Sequence, residues 1–321
     1  MFMQPEKMFD EDQLGLTPLE PIPLHTASMP VGARRLSSMV HLVRPEQWVK
    51  NVFVLAPLLF TPSAISTTSL RSVGLALVSF CALSSAVYVL NDYVDREVDR
   101  LHPVKRHRPL ADGSITVQAA LLVFGVLLGT GLGIASLLQS EFLLIAVGYV
   151  GLNFAYSLGL KHVSLVDVML VALGFILRVE AGASAVAVTP SAWIIMITGL
   201  LSLFLVLAKR RDDLDCRLDG NHRRSLDGYT AQFLDIAVSI ILGALLVAYL
   251  IYSTNEEVMT RLGTRHVYYT VPFVVFGILR YLQIMVVEQR TGSPATIMLT
   301  DRGVIIAVAG WIVTFLLLLY T

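Results

Sequence analysis

The chain has 321 residues, 55% of them hydrophobic and 15% charged, and its 24 basic and 24 acidic side chains cancel. A mean hydropathy of +0.70 excludes an ordinary soluble domain, in which about a quarter of the residues are charged. Zero net charge excludes a global field that would gather nucleic acid, and two cysteines, Cys81 and Cys216, are too few for a disulfide framework or a cysteine metal site.

Residues 1–40 carry acids and prolines but no apolar h-region, so they read as a flexible cytosolic extension and not as a signal peptide. From residue 41 to 321 apolar residues come in blocks of about twenty, the length that crosses a hydrocarbon core of about 30 Å. Nine spans are expected, roughly 46–62, 72–90, 116–138, 141–159, 164–183, 190–208, 232–253, 267–286 and 303–320, with Pro57 interrupting the first. Backbone polar groups cannot stay unpaired in lipid, so the expected fold class is all-α and polytopic.

Lysine and arginine are sorted between the loops. Arg34, Arg35 and Arg44 precede the first span. Arg96, Arg100, Lys105, Arg106 and Arg108 follow the second, and Lys161 the fourth. Lys209, Arg210, Arg211, Arg217, Arg223 and Arg224 follow the sixth, and Arg290 and Arg302 the eighth. The other loops carry only Arg71, Arg261 and Arg265. The positive-inside bias therefore places the N-terminus and both charged loops in the cytoplasm and the C-terminus outside.

After the second span comes NDYVDREVDRLHPVKRHRPLADG. If the helix continues past Leu90, Asp92, Asp95 and Asp99 stand at i, i+3 and i+7 and share a face, with Asn91 at its edge. Stacked carboxylates repel unless a cation sits between them. Oxygen ligands without His or Cys suit a hard ion, Mg²⁺ above all, which keeps waters and binds through one or two carboxylates plus substrate phosphates. The same pattern also suits a solvated helix end laced by pairs such as Asp92 with Arg96. Lys105, Arg106 and Arg108, set between Pro103 and Pro109, supply donors suited to phosphate, or equally a topology signal. His102 and His107 in this loop read as bystanders.

An apolar helix ending in Asn91, Asp92, Asp95 and Asp99 and followed by Lys105 to Pro109 resembles the UbiA superfamily of intramembrane prenyltransferases. YSLGLK, Tyr156 to Lys161, is similar to that family's Y-S-x-x-L-K element. RPEQWVKNVFVLAPLLF from Arg44, the stretch Ser85 to Gly113, AKRRDDL from Ala208, RRSLDGYT from Arg223, and Asp301–Arg302 resemble its decaprenyl-phosphate phosphoribosyltransferase branch. The resemblance runs from about residue 40 to the end.

It implies nine transmembrane helices around a central cavity with cytosolic cap loops. It also implies transfer of a phosphoribosyl group from 5-phosphoribosyl diphosphate (PRPP) to a polyprenyl phosphate, serving cell-wall arabinan synthesis. Mg²⁺ would sit on Asn91, Asp92, Asp95 and Asp99. The family's second motif, of DxxxD type, is here KRRDDLD, which offers Asp212 and Asp213 as further metal ligands. Lys209, Arg210 and Arg211, together with Lys50, fit a second anion site, and Tyr156 and Lys161 would touch a phosphate group. Gln47 and Trp48 are candidates for a ribose pocket. Asp167, Arg178 and Glu180 are ionisable groups in or near the fifth span, where Arg178 and Glu180 could simply cap its outer end. Alternatives are a prenyl diphosphate:aromatic acceptor transferase, a cation-binding transporter and a membrane scaffold. The partners expected are PRPP, the lipid and the membrane, with a homo-oligomer possible and nucleic acid excluded.

Overall fold

The computed structural model describes residues 31–215, 224–289 and 294–320. Most of the expected extension, Cys216, and the loop cations Arg217, Arg223 and Arg290 lie outside the described residues. Among the described residues all regular structure is helical. The long helices are α3 (Thr67–Val94), α5 (Val117–Ser136), α6 (Ser140–Leu158), α7 (Val166–Ala185), α8 (Ala192–Asp215), α9 (Ala231–Thr254), α11 (Val271–Val286) and α13 (Arg302–Tyr320). Shorter ones are α1 (Val31–Val43), α2 (Ala56–Leu59), α4 (Arg96–Leu101), α10 (Glu256–Leu262) and α12 (Pro294–Thr300). Eight segments, seven of these long helices and α11 with the 3-10 turn Val267–Thr270 before it, are long and apolar enough to cross a membrane. The protein is an integral, multi-pass membrane protein.

Side-chain oxygens define where the helices begin. Ser66 accepts from the Ser69 amide at 3.1 Å, Thr116 from Ala119 at 3.3 Å and Thr230 from Phe233 at 3.1 Å. Each satisfies an amide that a helix start leaves without a partner.

The first expected span, 46–62, is not a long α-helix. Pro45–Leu55 is a 3-10 helix, α2 adds four residues, and the helix ends before Phe60. Pro57 brings no amide to bond back to Phe53, and the β-branched Val49, Val52 and Val54 weaken the α form. Eleven 3-10 residues at a rise of about 2.0 Å still reach about 22 Å. The sixth span also runs further than expected: α8 stays helical to Asp215, so KRRDDLD is a helix end and not a loop.

α3 and α7 are the most buried of the candidate spans, 56% each, against 17% for α5 and α13. They form the middle of the bundle, and the other spans are less buried. α3 packs on α5, α6, α7 and the 3-10 segment, while α8 lies between α7 and α9. Two glycines mark close approaches around the central helices. A Cβ on Gly182 would lie 1.9 Å from the Val54 carbonyl oxygen, and one on Gly131 would lie 2.6 Å from Leu83. Without lipid-excluding hydrophobic gain, such small residues let helices meet by direct packing.

Candidate active site

At about 1.5 Å per residue, the 28 residues of α3 span about 42 Å, longer than the apolar layer, so the acidic tip emerges from it. α3 ends at Val94, Asp95 interrupts it, and α4 continues the path, with the Asp99 amide bonded to the Asp95 carbonyl at 2.8 Å. The ladder therefore has two rails. Asp92 and Asp99 are buried on one, and both accept from Arg108 Nη1, at 3.1 and 2.7 Å. Asn91 and Asp95 form the other, where Lys161 Nζ reaches the Asn91 amide oxygen at 3.3 Å and the Asp95 carboxylate.

Arg44 closes the first rail. Its Nη2 donates to both Asp92 oxygens, at 2.6 and 2.9 Å. This residue sits in the left-handed region, φ 55° and ψ 60°, at the break between α1 and the 3-10 segment. A non-glycine residue there is strained, and the strain turns the chain so that Arg44 faces the ladder. Arg96 and Arg100 pair with the exposed Glu97 at 2.6 and 2.8 Å, so the ladder is not laced by its own helix. Of the basic hook, Arg108 reaches Asp92 and Asp99. Arg106 is exposed and donates to His107 at 3.3 Å, and Lys105 is half-buried with its amide on His102 Nδ1 at 3.2 Å.

Below Asp92, one turn deeper, Lys50 Nζ lies 3.4 Å from the Tyr88 hydroxyl, and Gln47 lies 3.5 Å from the same oxygen. Trp48 donates to Ser85 Oγ at 2.9 Å. Across the site, α8 carries Lys209 to Asp213. Successive helical residues turn by about 100°, so three adjacent cations cannot share a face. Arg210 alone turns inward, where it is buried and bonds Asp167 at 2.8 Å and Asp213 at 3.1 Å. Arg211 pairs with Asp235 on α9 at 2.7 Å, and Lys209 is exposed. Asp212 is half-buried and lies near Tyr281. Tyr229 donates to Asp167 at 3.1 Å and accepts the Leu165 amide at 2.6 Å. Burial raises the Tyr229 phenol above its usual range, which keeps it a donor. Tyr156 lies within electrostatic reach of both Tyr88 and Arg210, linking the halves of the site.

The acids and amide present oxygen donors of the kind that suit a hard cation. As they stand, held by Arg44, Arg108 and Lys161, no three His, Cys, Asp or Glu side chains among the described residues converge as a metal cage. Sequence reasoning placed Arg44 only as a topology charge. A residue before proline is expected to be extended, so nothing local announced its left-handed turn. The pairing of Asp167 with Arg210 and Tyr229 joins residues 43 and 62 apart, and no local pattern announces it.

Comparison with known proteins gives a consistent result. The model of the UbiA prenyltransferase family matches residues 52–299. The decaprenyl-phosphate phosphoribosyltransferase of Mycolicibacterium smegmatis is 32% identical over 87% of this chain and 91% of its own length. The protein of the same description from Mycobacterium tuberculosis is 34% identical over 88% of this chain and 94% of its own. The structure of a UbiA homolog from Archaeoglobus fulgidus bound to GPP and Mg²⁺ covers 88% of this chain and 100% of its own, with a TM-score of 0.66 and 20% identity. That likeness concerns the fold.

Proposed function

We propose, from the premise that this chain belongs to the UbiA prenyltransferase family, that it transfers the 5-phosphoribosyl group of PRPP to a polyprenyl phosphate. The observation that carries this is the 32–34% identity to decaprenyl-phosphate phosphoribosyltransferases over 87–88% of the chain. The cations around the ladder are in keeping with it. Arg44, Lys50, Arg108 and Lys161 bring four cations to the three acids of the ladder, a setting suited to a phosphate-bearing donor.

In this reading the diphosphate docks against Asp92, Asp95, Asp99 and Asn91. These would hold Mg²⁺, which when bound supplies positive charge to the leaving diphosphate. Arg44, Arg108 and Lys161 then exchange carboxylate oxygens for phosphate oxygens. The bond from C1 of the ribose to diphosphate breaks with its electron pair leaving on oxygen, and a lipid phosphate oxygen forms the new bond from the opposite face. C1 gains oxocarbenium character on the way, as at a glycosidic centre. A phosphate monoester has a second pKa of about 6, so the nucleophile is already anionic and requires no general base. The protein's work is positioning and charge stabilisation. Asp167, Arg210 and Tyr229 hold the α8 wall of the site in place. The ladder faces the cytoplasm, where PRPP is available, with the N-terminus on that side and the C-terminus opposite. The product serves cell-wall arabinan synthesis.

The test incubates the purified protein with labelled PRPP, Mg²⁺ and a polyprenyl phosphate. Lipid-extractable label that is lost in Asp95→Asn and in EDTA is expected. Alkylation of an aromatic acid by a prenyl diphosphate, without transfer from PRPP, would replace this reading with the aromatic prenyltransferase.

A further inference from the structure

Arg178 lies on α7 about 18 Å along the helix from Val166, at 1.5 Å per residue. It is 6% exposed. Its Nε donates to Asn51 Oδ1 at 2.8 Å, Nη1 to the Gly174 carbonyl at 2.7 Å and Nη2 to the Tyr149 hydroxyl at 2.9 Å. The guanidinium carbon lies 4.8 Å from the Tyr149 ring centroid and 5.3 Å from that of Phe175. All these partners are neutral. Glu180, two residues on, neighbours Glu141 instead, so the pair does not cap the outer end of α7. Among the described residues Arg178 has no ion pair.

Two further cations lie nearby. Lys50 lies within electrostatic reach of both Arg178 and Arg44, and the acid that faces it, Glu46, is exposed. A charge buried in the apolar layer without a counter-charge is costly, and such residues serve function by default. An uncharged amide could have joined Asn51 to Tyr149 without that cost. Three bonds also leave part of the five-donor guanidinium unspent. Asn51 bonds Ser84 at 3.1 Å, and Ser84 is eight residues before Asp92, so the arginine lies about 12 Å below the ladder.

We infer that Arg178, with Lys50, forms a subsite for a phosphate monoester dianion, set deeper in the helix ring than the acid ladder. The ligand class rests on the proposed reaction, in which donor and acceptor each carry such a group. A sugar diphosphate held at the ladder would bring its 5-phosphate inward to Arg178. A polyprenyl phosphate entering between helices would bring its headgroup to the same place. The planar fork of Arg178 is suited to two oxygens of one phosphate, and Lys50 supplies a point charge beside it.

The test uses the full-length protein in nanodiscs and two probes, ribose 5-phosphate and farnesyl phosphate, with binding measured by calorimetry. Arg178→Gln is expected to weaken one probe by roughly ten- to a hundredfold, since a charged hydrogen bond is removed. Arg178→Lys should weaken it less, and the probe affected identifies whether sugar or lipid is the source. Melting curves are recorded in parallel. Lower melting with both probes bound as in wild type would reduce Arg178 to a structural pin and overturn the inference. Wild type that binds neither probe would overturn it too. If Arg178→Gln does not fold, Lys50→Met must show the selective loss, and unchanged binding there overturns the proposal. Arg178-dependent binding without phosphoribosyl transfer would remove the proposed reaction and leave the subsite. Transfer with Arg178-independent binding would do the reverse.

Discussion

Arg108 joins two buried carboxylates through one nitrogen, and Arg44 brings a second cation to Asp92. Removing either leaves buried negative charge uncompensated. Arg108→Ala is expected to cut phosphoribosyl transfer by at least about a hundredfold, the range seen when one preorganised donor is lost. A radiolabel transfer assay checks this, and activity within a factor of a few of wild type would count against it. A second residue-scale expectation concerns Asp301. Hydrogen bonds from Arg280 hold its carboxyl down at about 2. An unfolded aspartate titrates at about 3.9. The pair's stabilising effect is therefore complete above about pH 4 and lost as pH falls through about 2. Melting curves of wild type and Asp301→Asn should differ by a constant amount in the neutral range and converge in strong acid. At this scale the run of acids was legible but not its arrangement: the expected single face is broken at Asp95, which joins Asn91 on Lys161 while Asp92 and Asp99 face Arg108. Arg44 was not legible, because its role depends on a left-handed turn and a partner 48 residues away.

The helices show where local pattern gives way to packing. Blocks of about twenty apolar residues announced the long helices, and caps such as Ser66 and Thr116 are ordinary start signals. The 3-10 segment was not legible, since an apolar run with one proline does not say which helix type it adopts. Its place is set by contact with α7, where the Val54 carbonyl touches Gly182. Gly182→Ala is expected to destabilise the protein by about 1–3 kcal/mol, because backbone must move to admit the methyl group. Gly148→Ala, with nothing within 4 Å of the added atom, serves as the control and should melt close to wild type. The end of α8 teaches the reverse lesson. A charged run read as loop is helix, so the cations disperse and Arg210 is clamped between Asp167 and Asp213. Asp167→Ala should cost about 1–3 kcal/mol, because it leaves Arg210 on Asp213 alone and Tyr229 without its acceptor, measured by chemical denaturation in detergent.

For the whole molecule, α3 and α7 form a buried axis from which the other spans hang. The acid ladder stands at one end of α3, and Arg178 reaches into the ring from α7. Overall class and family were legible because membrane spans and motif order are carried by the sequence itself. The closed state of the ladder was not, since Arg44, Arg108 and Lys161 converge on it from three separate segments. Chelation should abolish transfer and added Mg²⁺ restore it, checked in the same lipid-extraction assay. The most direct measurement is a map of the protein with PRPP and Mg²⁺. The account predicts diphosphate against Asp92, Asp95 and Asp99, with Arg44, Arg108 and Lys161 turned onto its oxygens. Diphosphate bound elsewhere, with those three cations still on the carboxylates, would contradict it.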